Sequence, residues 1–151
     1  MAKRVFTIDW VLVNKIAVGP NPRTILDFKM LQDYKIKSIL SLCDINEAPT
    51  LDFIQKNFVF SRIPLPDHKK ARIPTFDEFQ LALDKLKELQ KFSPTFVHCL
   101  ASVERSPLLC LGWLVREEGY SIDIAMDYLM QIHPGTSPLP EQLKLIMQLE
   151  K

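Results

Sequence analysis

The chain has 151 residues, of which 47% are hydrophobic, and its 19 basic and 18 acidic side chains leave a formal net charge of +1. This length and composition predict a single folded domain over residues 1–151 and exclude a disordered chain. The balanced charge gives no indication of a nucleic-acid or membrane-surface partner.

The sequence shows no targeting, membrane-spanning or metal-binding pattern. Charged residues come too early in residues 1–9 for a signal-peptide core, and no apolar stretch reaches roughly 20 residues. The three cysteines form no CxxC pair and have no close Cys/His spacing, which argues against a disulfide framework or a zinc site. We therefore expect a cytoplasmic protein without a bound metal or a membrane partner, and we expect it to be a monomer.

Strand-like and helix-like segments alternate along the chain. Strands are predicted over residues 4–8, 15–18, 36–43, 58–63 and 95–98. Helices are predicted over residues 24–34, 49–57, 75–92, 107–118, 122–133 and 140–150, with Thr75 as the N-cap of the third. This order predicts an α/β fold with a central, mainly parallel sheet flanked by helices.

The most informative segment runs from Thr95 to Pro107. A short apolar strand ends in His98 and Cys99, five residues follow, and Arg105 then precedes a helix-like stretch. Backbone N–H groups in such a loop, together with the N-terminus of the helix, form a binding site for an anion. The sequence therefore predicts a phosphate-binding loop whose members follow the cysteine: Leu100, Ala101, Ser102, Val103, Glu104 and Arg105.

Cys99 is the predicted nucleophile of this loop. The positive field of the loop favours thiolate over thiol, and a thiolate can attack phosphorus to form a phosphocysteine. Arg105 is predicted to fork onto two phosphate oxygens and to stabilise their charge. Ser106 is predicted to cap the helix before Pro107, and its hydroxyl is a candidate to hydrogen-bond the sulfur of Cys99.

These residues resemble the signature of the protein tyrosine phosphatase superfamily. The size and the order of elements are most similar to its dual-specificity branch, and the similarity extends over nearly the whole chain, from a turn at residues 19–22 to His133 and Pro134. The resemblance implies a single catalytic domain with the fold described above. It implies chemistry that needs no metal and no cofactor.

The resemblance also implies an acid that protonates the leaving group. In this family an aspartate on a loop some thirty residues before the cysteine has that role, and Asp67 lies at that distance in a proline-rich loop. Asp67 would then act as the base that activates water in the second step. His68 is the alternative donor, and Asp44 and Glu47 are further candidates.

The same resemblance suggests roles for other residues of the signature. His98 resembles the histidine that orders the loop and helps to keep the cysteine ionised. Ser102 departs from the family, which usually has glycine at this position. Either the loop backbone avoids the strain of a left-handed serine and the site works, or the site is degraded and only binds phosphate. Glu104 either orients Arg105 or is a solvated side chain.

Cys43 is the last candidate. It ends the strand predicted over residues 36–43, which the resemblance places beside the strand that ends at His98. If Cys43 approaches Cys99, the two could form a reversible disulfide, and otherwise Cys43 fills the core. Cys110 lies in an apolar helical stretch and is interpreted as a core residue.

The sequence thus favours a cysteine-dependent phosphatase that acts on phosphorylated proteins, without a choice between phosphotyrosine and phosphoserine or phosphothreonine. The loop residues between Cys99 and Arg105 include no cation, which argues against a polyphosphorylated inositol lipid. One alternative is a phosphate-recognising adaptor that turns over poorly because of Ser102. A sulfur-transfer or arsenate-reducing enzyme is a further alternative, although Asp67 at its spacing argues against it.

Overall fold

A computed structural model describes residues 5–66, 68–70 and 72–150. Within them, five short strands form one sheet, in the order β1–β2–β5–β3–β4. Strand β1 runs antiparallel to β2, and the other neighbours are parallel. The strands are β1 (Asp9–Leu12), β2 (Ile16–Gly19), β3 (Ser38–Ser41), β4 (Val59–Arg62) and β5 (Thr95–His98). The α/β fold with a mainly parallel sheet is therefore confirmed.

Helices cover both faces of the sheet. Within the described residues they are α1 (Ile25–Asp33), α2 (Asp52–Asn57), α3 (Phe76–Leu89), α4 (Arg105–Arg116), α5 (Ile122–Ile132) and α6 (Pro140–Met147). Short 3-10 turns lie at His68–Lys70 and Gln90–Phe92. None of the helices in this part of the chain is long and apolar enough to cross a membrane.

The core consists of two clusters because neighbouring strand residues point to opposite faces. Ile39 and Phe96 pack in one cluster with residues of α1 and α2. Leu40 and Val97, the next residues along the same strands, pack in the other cluster with residues of α3 to α6. Strand β5 is therefore buried on both faces, which holds the loop that follows it.

Two helices begin with a reciprocal cap. The side chain of Thr75 accepts from the backbone N–H of Glu78, and the Glu78 carboxylate accepts from the N–H of Thr75. Thr24 and Asp27 form the same arrangement before α1. Threonine followed by an acidic residue three positions later is a sequence pattern for a helix start, so the predicted cap at Thr75 is confirmed.

The first strand was predicted in the wrong place. The strand predicted over residues 4–8 lies instead at Asp9–Leu12, and the described residues 5–8 are not part of the sheet. Asn14 has a φ of 62°, and the N–H of Lys15 donates to the carbonyl of Leu12, which closes a tight turn before β2. This turn sets the pairing of β1 with β2 and therefore the position of the strand.

Candidate active site

The loop of residues 99–104 joins β5 to α4 at the carboxyl end of the sheet. Strand β5 lies between β2 and β3, so the loop leaves the sheet near its middle. Cys99 is the first residue of the loop and is only 3% exposed. This position, outside the carboxyl ends of parallel strands, is where open α/β sheets bind ligands.

Backbone carbonyls of the loop are bound from outside. The N–H of Asn21 donates to the carbonyl of Leu100 at 3.1 Å, and the N–H of Ser137 donates to the carbonyl of Val103 at 2.8 Å. A peptide carbonyl and the N–H of the next residue point in nearly opposite directions, because the peptide unit is planar and trans. These bonds therefore favour N–H groups that face the inside of the loop, as anion binding requires.

His98 orders the start of the loop as a neutral ring. Its Nδ1 lies 2.9 Å from the carbonyl oxygen of Cys99, and because that oxygen only accepts, Nδ1 is the donor. Burial lowers the pKa of His98 to about 4, with the charges of Arg62 and Arg105 acting in the same direction. The ring is thus uncharged at neutral pH, so it acts on Cys99 through the backbone.

The hydroxyl of Ser106 lies 3.3 Å from the sulfur of Cys99. The prediction that Ser106 is the N-cap of a helix starting at Pro107 is wrong, because α4 begins at Arg105 and Glu104 is its N-cap residue. Proline is tolerated in the first turn, where its missing N–H has no helical partner, so the helix can start before Pro107. Ser106 therefore faces Cys99 from the first turn of α4.

The guanidinium of Arg105 is held by Glu47. Its Nη1 and Nη2 donate to the two carboxylate oxygens of Glu47 at 3.0 and 2.8 Å, and Nη1 also lies 3.1 Å from the carbonyl oxygen of Leu65. Burial by itself would lower the pKa of Arg105, but the bonds to Glu47 and nearby negative charges raise it overall. Arg105 therefore stays charged although it is only 3% exposed.

Glu47 is unsuited to the role of general acid. The hydrogen bond from Arg105 holds the pKa of Glu47 below its ordinary value, against the opposing effect of burial. A carboxyl group that stays ionised does not provide a proton to a leaving group near neutral pH. Sequence reasoning considered Glu47 only as an acid and missed its pairing with Arg105, for which local sequence gives no signal.

Ser102 adopts the left-handed conformation, with a φ of 60°. Of the two alternatives that the sequence left open, the one in which the loop backbone avoids this strain is therefore wrong. Its hydroxyl lies 2.9 Å from Ser106 Oγ and 3.1 Å from His133 Nε2, and the same nitrogen lies 2.7 Å from the Ser102 carbonyl oxygen. Asp9 binds the other side of the His133 ring, a contact that sequence reasoning also missed.

Glu104 does not simply extend into solvent. Its carboxylate accepts a hydrogen bond of 2.6 Å from Gln142 Nε2, at the start of α6. The carboxylate that forks onto Arg105 belongs to Glu47 instead. Glu104 thus ties the end of the loop to the C-terminal helix.

The mouth of the site is a cavity of about 290 Å³ lined by Lys69, Leu100, Val103 and Arg105, with Cys99 and Ala101 among the other lining residues. Leu100 and Val103 are 40% and 42% exposed, so the rim of the loop is apolar. The predicted acid Asp67 lies outside the described residues, and so does the side chain of the alternative donor His68.

The other two cysteines are buried thiols. Strands β3 and β5 are parallel neighbours; Cys43 lies two residues beyond the end of the first, and Cys99 directly follows the second. Burial raises the pKa of Cys43 to about 12, and burial likewise raises that of Cys110, which packs within α4. Both side chains are fully buried, and all three cysteines are free thiols.

Comparisons with known proteins agree with this geometry. A family model described as the dual specificity phosphatase catalytic domain matches residues 18–151. The crystal structure of Tk-PTP in the active form superimposes with a TM-score of 0.81 and 18% identity, covering 95% of each chain. At that identity the superposition supports the fold.

Curated sequences show the same relationship. Dual specificity protein phosphatase 1 of Homo sapiens is 28% identical over 95 residues, which are 62% of this chain and 25% of the relative. Dual specificity protein phosphatase 16 of Homo sapiens is 27% identical over 130 residues, which are 85% of this chain and 19% of the relative. The chain thus spans about a quarter or less of the length of these relatives. With the family model matched over most of its length, the chain belongs to the dual specificity phosphatase catalytic-domain family.

Proposed function

We propose that residues 1–151 form one catalytic domain that hydrolyses phosphate monoesters in proteins through a phosphocysteine on Cys99. One observation carries the proposal. Cys99 and Arg105 line the same cavity at the end of β5, and the Ser106 hydroxyl lies 3.3 Å from the Cys99 sulfur. A nucleophile, a charged guanidinium that lines the same cavity and a donor to the leaving sulfur are what a cysteine-dependent phosphatase needs.

In the first step the Cys99 thiolate attacks phosphorus opposite the ester oxygen. The P–S bond forms as the P–O bond breaks, and Asp67 gives its proton to the departing oxygen. Arg105 and the backbone N–H groups of the loop stabilise the charge on the remaining phosphoryl oxygens. The fork from Glu47 orients Arg105 before substrate arrives, which lowers the cost of ordering it.

In the second step a water molecule attacks the phosphocysteine. Asp67, now ionised, accepts a proton from the water, and the P–S bond breaks with its electrons left on sulfur. The Ser106 hydroxyl donates to that sulfur as negative charge develops on it. Inorganic phosphate leaves, and Cys99 is again a thiolate.

A phosphoprotein is the proposed substrate class. The loop side chains between Cys99 and Arg105 provide no cation for a second phosphate. Three basic residues lie nearby in the sequence, at positions 69, 70 and 72. In the described part of the chain, only the first of them, Lys69, lines the cavity that contains Cys99. A single phosphoryl group on a protein side chain fits this distribution of charge better than a polyphosphorylated inositol lipid.

The test is release of phosphate from an aryl phosphate by the purified protein, under reducing conditions with a metal chelator. Turnover by the wild type and loss of turnover in Cys99→Ser, with an unchanged circular dichroism spectrum, would support the mechanism. Full activity in Cys99→Ser would refute it. Asp67→Ala should slow phosphopeptides more than activated aryl phosphates, because a good leaving group needs less help from an acid.

The conformation of Ser102 favours a second candidate, an adaptor that binds phosphorylated proteins and turns them over slowly. A left-handed serine costs roughly 1–3 kcal/mol, which the rest of the loop must offset. A folded protein that binds a phosphopeptide in a Cys99-containing site but releases no phosphate would identify the adaptor. Ser102→Gly would then be expected to restore turnover.

We also propose that Cys43 protects Cys99 from irreversible oxidation in a reducing cytoplasm. Their positions after neighbouring parallel strands support a disulfide, whereas the raised pKa of Cys43 predicts that it forms slowly. After a pulse of peroxide, dithiothreitol should restore more activity to the wild type than to Cys43→Ser. Equal recovery would leave Cys43 with a packing role only.

A further inference from the structure

We propose that His133, held by Asp9, is a positioning residue that acts through Ser102 to orient the Ser106 hydroxyl toward Cys99. The inference rests on the proposed function, because it assigns these residues to the reaction of that nucleophile. It concerns residues far apart in the chain, since 124 positions separate Asp9 from His133 and 31 separate Ser102 from His133.

The imidazole ring of His133 lies between strand β1 and the loop. His133 is the C-cap residue of α5 and is 5% exposed. Its Nδ1 lies 2.6 Å from Asp9 Oδ2, and its Nε2 lies 2.7 Å from the carbonyl oxygen of Ser102. The imidazole thus connects the first strand of the sheet to the phosphate-binding loop.

The direction of the hydrogen bonds of His133 depends on which ring nitrogens carry a proton. The Ser102 carbonyl oxygen only accepts hydrogen bonds, so His133 Nε2 must carry a proton that points at it. This holds whether the proton between Nδ1 and Asp9 belongs to the ring or to the carboxyl group. The Ser102 hydroxyl, 3.1 Å from the same protonated nitrogen, then meets it with an oxygen lone pair.

Each serine hydroxyl has a single proton, and this sets the direction of the next two hydrogen bonds. Since Ser102 Oγ accepts from His133, its own O–H is directed to Ser106 Oγ at 2.9 Å. Ser106 Oγ accepts that proton, so its O–H is directed to Cys99 Sγ at 3.3 Å. The hydrogen bonds therefore run in one direction, from His133 through the two serines to the sulfur.

The contact with His133 also holds the backbone of Ser102. Glycine adopts a positive φ without cost, whereas serine at a φ of 60° needs contacts that hold it there. The bond from His133 Nε2 to the Ser102 carbonyl fixes the peptide unit that follows this strained residue. His133 and Asp9 thus make a serine usable at a position that favours glycine.

The variants His133→Gln and Asp9→Ala test this role, with Asp123→Ala as the matched control because Asp123 is an exposed carboxylate in the first turn of α5. Both test variants should lower kcat for an aryl phosphate about tenfold, the effect of one lost hydrogen bond in the transition state, with little change in KM. Alkylation of Cys99 by iodoacetamide at a fixed pH of about 6 should slow in parallel, because the Cys99 thiolate loses the hydrogen bond from the Ser106 hydroxyl that stabilises it. Unchanged kcat and alkylation in both variants would overturn the proposal.

A double-mutant cycle separates positioning from simple structural support. In the Ser102→Gly background, the effect of His133→Gln should disappear, since His133 acts through Ser102. An equal loss of kcat in both backgrounds would mean that His133 only supports the end of α5, and would refute the inference. If His133→Gln fails to fold, Asp9→Ala goes through the same cycle.

The two proposals fail in different ways. If the wild type releases no phosphate, the proposed function fails, but the alkylation rate of Cys99 still reports on His133. If the wild type is active and both test variants match Asp123→Ala, the phosphatase mechanism stands and the inference alone is wrong.

Discussion

The buried imidazole of His98 makes the stability of the fold depend on pH. Burial lowers its pKa to about 4, whereas the exposed ring in an unfolded chain titrates near 6.5. The unfolded chain therefore takes up a proton below about 6.5 while the native protein does not, so stability falls from there down to about 4. Above 6.5 this group has no effect, and the full loss amounts to about 3 kcal/mol.

The measurement is urea unfolding at pH values between 7 and 4. In His98→Asn, which keeps a donor near Nδ1 but cannot titrate, the free energy of unfolding should fall less steeply over this interval than in the wild type. Carboxylates contribute to acid unfolding in both proteins, so the difference between the two slopes is the quantity to compare. Parallel slopes would contradict the role of His98.

The pair of Glu47 and Arg105 predicts a second effect of a single residue. Glu47→Gln removes the charge-assisted fork and leaves Arg105 more mobile, which should weaken phosphate binding about tenfold. The lost negative charge acts in the opposite direction, because a phosphate then meets less repulsion. We expect positioning to dominate, since the fork contacts the guanidinium at 2.8–3.0 Å.

Competitive inhibition by inorganic phosphate measures this balance. Asp44→Asn is a suitable control, because it removes a carboxylate that accepts from the N–H of Asn46 and keeps the backbone N–H that donates to Glu47. Tighter phosphate inhibition in Glu47→Gln would show that repulsion outweighs positioning.

At the scale of helices and strands, local sequence patterns located most elements but not their ends. Strand β5 is predicted by a short apolar run that ends at His98. Helix α3 is predicted by its threonine cap and its apolar face. Strand β1 could not be placed in the same way, because Phe6 and Ile8 are buried outside any strand while the turn at Asn14 fixes the register.

The same distinction applies to the candidate site. Cys99, Arg105 and Ser106 are close in sequence, so one motif was enough to bring them together. Glu47 lies 58 positions from Arg105, and Asp9 lies 124 positions from His133. Contacts at such separations depend on the order of strands in the sheet, which periodicity along the chain does not encode.

The packing of α3 against α4 predicts the effect of a single methyl group. A Cβ at Gly112 would lie 2.5 Å from a ring carbon of Phe79 and 3.3 Å from a methyl carbon of Leu83. Gly112→Ala should therefore destabilise the protein by about 1–3 kcal/mol through overpacking. This outweighs the gain of up to about 1 kcal/mol that alanine brings to a helix interior.

Urea unfolding of Gly112→Ala measures the net effect. Phe79→Leu in the same chain makes room for the methyl group, so the double variant should lose less than the sum of the two single losses. A stabilised Gly112→Ala would mean that α3 and α4 separate at little cost.

At the scale of the whole molecule, the proposed anion site connects segments from different parts of the fold. Its groups come from the segment after β3, from the end of β5 and from the start of α4. The C-terminal segment joins them through the bond of Ser137 to Val103 and that of Gln142 to Glu104. An anion bound in the loop therefore stabilises the native state as a unit and leaves the unfolded chain unaffected.

This linkage predicts a rise in melting temperature with phosphate. At a concentration about 100 times the Kd, a ligand that binds only the native state adds about 3 kcal/mol. For a domain of this size each kcal/mol shifts Tm by about 2–4 °C, so the expected rise is about 6–12 °C. Differential scanning calorimetry at constant ionic strength, with chloride in place of phosphate, measures it.

Variants at the anion site determine where the stabilisation arises. Cys99→Ser should keep the rise, since the backbone and Arg105 bind the anion without the thiolate. Arg105→Lys keeps the charge but loses the planar fork, so most of the rise should disappear. Arg72→Lys makes the same change at an exposed arginine that pairs with Glu78, and it should keep the rise in full. If Arg105→Lys kept it as well, phosphate would be acting elsewhere on the surface, and the loop after β5 would not be the anion site.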